Sequence, residues 1–273
     1  SRGLGDVYKR QVLKTLDVDS TALGFAGGFP GKFISKTLEE SKIHTDFIEV
    51  DEDTRINVKL KSGQETEINA PGPKVTQEQF QALITQIKNT TSEDTVIVAG
   101  SVPNSIPSDA YAQIAEITKN TGAKLVVDAE KDLVDTVLPY RPLFIKPNKD
   151  ELEVMFNTTV SSDHDVVKYG KEILKKGAQS VIISLGGDGA IYVDEHQSIK
   201  AENPQGKVIN TVGSGDSTVA GMVAGLESGL SIQDAFKQAV ASGTATAFEE
   251  DLATRDAIEK IKSQVTVSVL DGE

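Results

Sequence analysis

Cysteine is absent from the 273 residues. That excludes disulfides, thiolate metal sites and cysteine nucleophiles, and it fits a reducing cytoplasm, the location expected for this chain. Histidine is scarce: His44, His164 and His196 are the three present, without the spacing of metal ligands, so a histidine-built zinc site is not expected. No apolar run approaches the ~18 residues of a membrane span, and the opening SRGLGDVYKRQ lacks the apolar stretch of a signal peptide. Positive charge is in deficit, with 28 Lys and Arg against 41 Asp and Glu, a formal net charge of −13. Such a field repels nucleic acid and anionic membrane, so neither is expected as a partner. An anionic small molecule would have to be met by a local concentration of amides, lysine, arginine or metal. No GxxxxGK[ST] occurs, which excludes a P-loop, and the glycines of GFAGGFPG do not follow G-x-G-x-x-G.

What is present describes an ordinary folded chain, 38% hydrophobic and 25% charged. After residue 20, short Val- and Ile-rich runs (TALGFAGG, TVIVAG, AKLVVDAE, PLFIKPN, SVIISLGG) alternate with segments at helical spacing such as QEQFQALITQIKN, SDAYAQIAEITKN and DVVKYGKEILKKG. Strand–helix alternation predicts a mainly parallel sheet with helices on both faces. From about Asp46 to Asn69 the period changes to 2 with no helix between, and KSG supplies a turn; this segment is expected to form a small antiparallel unit, a lid or an edge hairpin, at about 44–70. Beyond Gly213 the chain reads as helical, with small residues that allow close packing.

Three stretches could carry chemistry. In VGSGDS, Gly213 and Gly215 let backbone N–H groups converge around Ser214, and a helix expected from about Asp216 adds its free amides and positive dipole end. That makes either an anion site with a carboxylate at its lip or a turn with a capping Asp. In PNKDELEVM, Asn148 and Glu151 lie three apart and share one side of a first helical turn. They could hold hydrated Mg²⁺ through oxygen, or form a capping box. In SLGGDGA, the run Ser184, Leu185, Gly186, Gly187, Asp188 and Gly189 at a strand end suits a hairpin or a close backbone approach to a nucleotide.

Taken together, NTVGSGDSTVAGMVAGL, KPNKDELE, ISLGGDGA, AGSVP and TRINV resemble, in order and spacing, the ribokinase-like (PfkB) family of sugar kinases, from about Val12 to the chain's end. TRINVKL, TEINAPGP and GSVP resemble its phosphosugar branch, 1-phosphofructokinases first and tagatose-6-phosphate kinases next. The resemblance implies a three-layer α/β/α domain with a mainly parallel central sheet and a β lid. It implies ATP and Mg²⁺ as cofactors and a phosphosugar as substrate. The expected reaction is phosphorylation of fructose 1-phosphate to fructose 1,6-bisphosphate, with tagatose 6-phosphate the alternative acceptor.

Residue by residue, the resemblance makes Asp216 the base and Gly213, Ser214 and Gly215 the amide donors to the migrating phosphoryl group. Asn148 and Glu151 would hold Mg²⁺ or its waters, with Asn148 beside the nucleotide. Ser184 to Gly189 would line the nucleotide pocket, with ASGTATAF bordering adenine. Arg55 in the lid and Ser101 would meet the sugar phosphate. Glu67 stands where six-phosphofructokinase relatives carry a second arginine, which favours a different phosphate placement. An exposed lid leaves room for a homodimer.

The chain also departs from the family. Members open with a strand bearing a substrate-binding Asp and a GGKG-N turn, and neither is present. The expectation is therefore a non-native leader at 1–11 and a shortened kinase domain at 12–273 that folds less well and turns over slowly, or survives as an inactive nucleotide-binding fragment.

Overall fold

A computed structural model describes residues 2–56, 58–62, 64–68 and 70–270. Helix α1 (Arg2–Thr15) leads into two short strands, β1 (Thr21–Ala22) and β2 (Phe25–Ala26), then α2 (Gly28–Glu40), β3 (His44–Thr45) and β4 (Ile48–Glu49). A hairpin follows, β5 (Val58–Ser62) and β6 (Gln64–Ile68), and then α3 (Gln77–Lys88). The alternating part runs β7 (Thr95–Ala99), α4 (Ala110–Thr121), β8 (Lys124–Asp128), α5 (Lys131–Val137), β9 (Phe144–Ile145), α6 (Lys149–Phe156), α7 (Asp163–Lys176) and β10 (Ser180–Ser184). The end is β11 (Ala190–Asp194), β12 (Ser198–Glu202), α8 (Ser214–Glu227), α9 (Ile232–Ala247), α10 (Arg255–Lys262) and β13 (Thr266–Val269).

The seven-stranded sheet has the order β13-β12-β11-β10-β9-β8-β7. Its β7 to β10 half is parallel, and β11, β12 and β13 continue it antiparallel. Strict alternation assigns each strand's side chains to two cores. Leu125, Val127, Val181, Ile183, Ile191 and Val193 pack with α4 to α7, through residues such as Tyr111, Val134, Leu152 and Ile173. Val126, Ile182, Tyr192 and Ile199 face the other way, against α1, α8, α9 and α10. Burial on both faces explains why these strands read as continuous apolar runs.

Local signals set the helix ends. Thr76 and Gln79 make a reciprocal capping box at α3, and Ser162, Ser231 and Thr254 cap α7, α9 and α10 through their hydroxyls. Among the described residues, no helix is long and apolar enough to cross a membrane.

Two local differences from the sequence reading stand out. Among the described residues, antiparallel pairing in the period-2 segment is confined to β5 and β6, while β3 and β4 pair parallel with β1 and β2. Alternation reports a half-exposed strand and carries no information on the direction of its partner. The tip residue Gly63, with Asn57 and Asn69, lies outside the described residues, as does the Glu67 side chain. In addition, α8 starts at Ser214 rather than near Asp216, because Gly213, at φ +80°, makes the turn into the helix itself.

Helices α8 and α9 meet through glycine. A Cβ built on Gly221 would lie 2.9 Å from the Ala239 Cα and 2.6 Å from the Ser242 Oγ. Alanine gains about 1 kcal/mol of helix propensity over glycine, but forcing two backbones apart costs about 1–3 kcal/mol, so the clash wins. Gly221→Ala is expected to lower the denaturant midpoint with an unchanged slope; a midpoint at or above that of the parent would refute this account of the contact.

Candidate active site

The parallel strands β7 to β10 present their carboxyl ends to one rim, where open α/β sheets bind ligands. At β7 the chain continues into Gly100 and Ser101, and the Gly100 N–H donates to the Asp128 carbonyl at 3.4 Å, joining the ends of β7 and β8. At β9 the chain passes through Lys146 and Pro147 to Asn148, which forms a parallel bridge with Ser184 at the end of β10. The Ser184 N–H donates to the Pro147 carbonyl at 3.1 Å. Thus KPN and SLGG, far apart in sequence, are adjacent.

The carboxylate of Asp216 sits in the first turn of α8 and is engaged by the Lys9 ammonium. The same ammonium lies 2.9 Å from Asp128 Oδ2, and Lys146 Nζ stands 4.0 Å from Asp128 Oδ1. Lys9 is 5% exposed, so two acids and two lysines share a poorly hydrated space at the strand rim. Gly215 passes beside Lys146: a Cβ there would be 3.3 Å from Nζ. Gly213 lies against the Tyr8 ring, which a Cβ would approach to 2.9 Å. Burial first, then the charges of Asp251 and Asp216, push the Tyr8 phenol above its ordinary value, so it stays neutral.

Of the turn's amides, that of Ser214 points to the Thr211 carbonyl at 3.2 Å. The N–H groups of the Gly213 cap and of Gly215 lie at the start of α8, where the helix's own ladder supplies no acceptors. Ser214 Oγ donates to the Gly243 carbonyl of α9 at 2.8 Å, holding the turn in place.

Asn148 and Glu151 form the capping box. Asn148 Oδ1 accepts from the Glu151 N–H at 2.8 Å, and Glu151 Oε2 accepts from the Asn148 N–H at 2.9 Å. Among the described residues there is no group of three or more His, Cys, Asp and Glu able to hold a metal ion. Two oxygen donors still suit Mg²⁺, which retains waters and takes its remaining oxygens from phosphate.

Arg55 and Ser101, 46 positions apart, meet: Arg55 Nη2 donates to Ser101 Oγ at 2.9 Å. The Ser184–Gly189 loop turns through Gly186 (φ +62°) and Gly189 (φ +90°), closing with the Leu185 N–H donating to the Gly189 carbonyl at 2.8 Å. A Cβ at Gly189 would lie 1.9 Å from the Ala201 carbonyl oxygen, so this position has no room for a side chain.

Residues 10–258 match the pfkB family of carbohydrate kinases. The chain belongs to that family. Its curated relatives include a 1-phosphofructokinase of Bacillus subtilis, 43% identical over 95% of this chain and 86% of the relative. Another is a D-tagatose-1-phosphate kinase of Bacillus licheniformis, 37% identical over 95% and 86%. A crystal structure from Staphylococcus aureus, provisionally described as a phosphofructokinase, superimposes with a TM-score of 0.90 at 79% identity, covering 98% of this chain and 87% of that one. Phosphofructokinase-2 of Escherichia coli, solved with substrates and products, gives a TM-score of 0.87 at 26% identity over 94% and 86%. The fold is the ribokinase-like one of these pfkB relatives.

At this rim, Lys9, Asp128 and Lys146 are charged residues that reading the sequence did not single out. Lys146 and Asp128 stood at the ends of strands already recognised, and a charged residue at the carboxyl end of a parallel strand was the available signal. Lys9 carried none, since only the packing of α1 brings it to residue 216.

Proposed function

We propose that this carbohydrate kinase transfers the γ-phosphoryl group of ATP to fructose 1-phosphate, giving fructose 1,6-bisphosphate and ADP. The observation that carries the reading is Asp216, held in the first turn of α8 directly after Gly215 and joined through the Lys9 ammonium to Asp128, with Lys146 beside Gly215. The sugar's free primary hydroxyl gives its proton to the Asp216 carboxylate as its oxygen bonds to the γ-phosphorus. The bond from that phosphorus to the β,γ-bridging oxygen breaks, and the electron pair leaves with ADP.

A carboxylate at a helix N-terminus is a weak base, because the dipole stabilises its charge. In a loose phosphoryl-transfer transition state the proton leaves late, so position outweighs basicity. The first-turn amides of Gly213 and Gly215 face charge developing on the phosphoryl oxygens, with the Lys146 ammonium alongside. Ser184 to Gly189 line the nucleotide, with Asn148 beside them. Asn148 and Glu151 are the residues that would hold Mg²⁺ or its waters; the ion supplies charge neutralisation to the phosphates. Arg55, steadied by Ser101, meets the phosphate already on the sugar. The resemblance of the lid segment to 1-phosphofructokinases favours the 1-phosphate over tagatose 6-phosphate. The exposed rings of Phe29 and Phe33, with Ile56 at the foot of the lid, offer a surface that a second copy would cover; an inhibited form of the Escherichia coli relative is tetrameric.

Initial rates with ATP and a panel of fructose 1-phosphate, fructose 6-phosphate, tagatose 1-phosphate and tagatose 6-phosphate test the assignment. The highest kcat/KM is expected for fructose 1-phosphate. Arg55→Ala should raise the KM for the sugar phosphate about tenfold or more, in line with a lost charge-assisted contact, and leave the KM for ATP alone. A higher kcat/KM for any other sugar in the panel would reassign the substrate.

A further inference from the structure

Asn203 lies in the segment between β12 and α8, well away in sequence from the nucleotide-type loop and from α9, yet it touches both. Its Nδ2 donates to the Gly186 carbonyl at 3.1 Å, and its Oδ1 accepts from Thr244 Oγ1 at 2.7 Å. Thr244 is buried on α9, and its neighbour Gly243 accepts the Ser214 hydroxyl from the turn that precedes Asp216. One turn of α9 therefore braces two loops at once. The arm through Gly243 holds the turn proposed to receive the γ-phosphate, and the arm through Thr244 and Asn203 holds the loop proposed to line the nucleotide.

The loop needs such a brace. Gly186, Gly187 and Gly189 have little intrinsic preference for one backbone conformation, and no Cβ at Gly186 or Gly187 would touch anything within 4 Å. At the loop's outer side Asn203 shares a cleft of about 290 Å³ with Leu185, Gly187 and Asp188. Both polar groups of the amide are used in complementary directions, donor to a carbonyl and acceptor from a hydroxyl. A side chain without that pair of functions cannot replace it.

We infer that Asn203 is a positioning residue for nucleotide binding, latching the Gly186–Gly189 loop to α9 through Thr244. The inference rests on the reading of that loop as the nucleotide site. Pre-setting the loop lowers the ordering cost that ATP would otherwise meet on binding. The latch does not touch the sugar side of the site, so its removal acts on ATP and spares the acceptor.

Calorimetric titration of the full chain with ATP and Mg²⁺ reads the latch without needing turnover. Asn203→Ala and the near-isosteric Thr244→Val should each weaken ATP binding roughly 3–10-fold. Thr244→Ser, which keeps the hydroxyl, should stay within about 2-fold of the parent, and the double variant should be no weaker than about 2-fold beyond the poorer single one. Where turnover is measured, the KM for sugar phosphate and kcat at saturating ATP should hold within about 2-fold.

Unchanged ATP affinity in both single variants overturns the inference, as does strict additivity in the double variant. So does an equal loss for both substrates with a matching fall in Tm, which would mark a merely structural role. A parent chain that binds ATP but phosphorylates no sugar in the panel would refute the proposed reaction while leaving the latch to be judged by binding. A parent chain that binds no ATP would refute both.

Discussion

Asp216→Asn is expected to reduce phosphoryl transfer by roughly 10²–10⁴-fold, the range over which a positioned base contributes, while ATP affinity stays within about 2-fold. The amide matches the carboxylate in shape and can still accept a hydrogen bond, so the turn at Gly213 and the start of α8 should survive. What it cannot do is take a proton from the acceptor hydroxyl. The loss should therefore appear in kcat, with the KM for the sugar phosphate little altered. Single-turnover measurements with the acceptor in excess check the result directly. Transfer within about 5-fold of the parent would show that the hydroxyl loses its proton elsewhere, and would remove Asp216 from the chemistry.

The second large effect concerns Lys9→Met. The lysine's ammonium lies between Asp128 and Asp216, and its side chain is 7% exposed against 22% and 17% for the two acids. Methionine preserves most of the aliphatic stem and removes the charge. The two acids then face each other with less compensation, although Lys146 remains 4.0 Å from Asp128. Breaking a buried pair from one side costs about 3–5 kcal/mol. Partial exposure of the acids and the nearby Lys146 argue for the lower end. A loss of ~3 kcal/mol corresponds to roughly 6–12 °C in Tm for a chain of this size. Added salt should recover little of it, because the pair is shielded from solvent. Combining Lys9→Met with Asp128→Asn should restore part of the loss by removing one of the stranded charges. A Tm within 1 °C of the parent for Lys9→Met alone would show that α1 adds no electrostatic stability here.

The same residues show how far a one-dimensional reading reaches. Val126 and Val127, or Ile182 and Ile183, read simply as buried strand, and the two cores confirm burial on both faces. The sugar kinase family was legible because its motifs fall at strand ends and helix starts, where backbone geometry restricts the choice of residue. Arg55 and Ser101 were each assigned to the sugar phosphate by resemblance, and that they touch one another was not foreseen. Spacing at Asn148 and Glu151 suited a cap as well as a metal site, since one turn of helix serves both, and the hydrogen bonds between them are those of the cap. The Lys9 bridge to Asp216 spans 207 positions and follows no local rule. The Asn203 latch was invisible for the same reason: an asparagine in an irregular segment becomes informative only when both ends of its amide have addresses.

The parallel half of the sheet has a second rim. The Ser101, Asp128, Asn148 and Ser184 segments lie at the carboxyl ends of β7 to β10, so the turns entering those strands, such as Thr91–Asp94 before β7, lie at the opposite margin of the sheet. Glu93 is exposed in that turn. Because the chain contains no thiol of its own, a cysteine introduced at Glu93 would be its single point for maleimide chemistry. A fluorophore or surface tether attached there would report on, or immobilise, the enzyme from its far side, leaving the rim with the proposed site open to ligand.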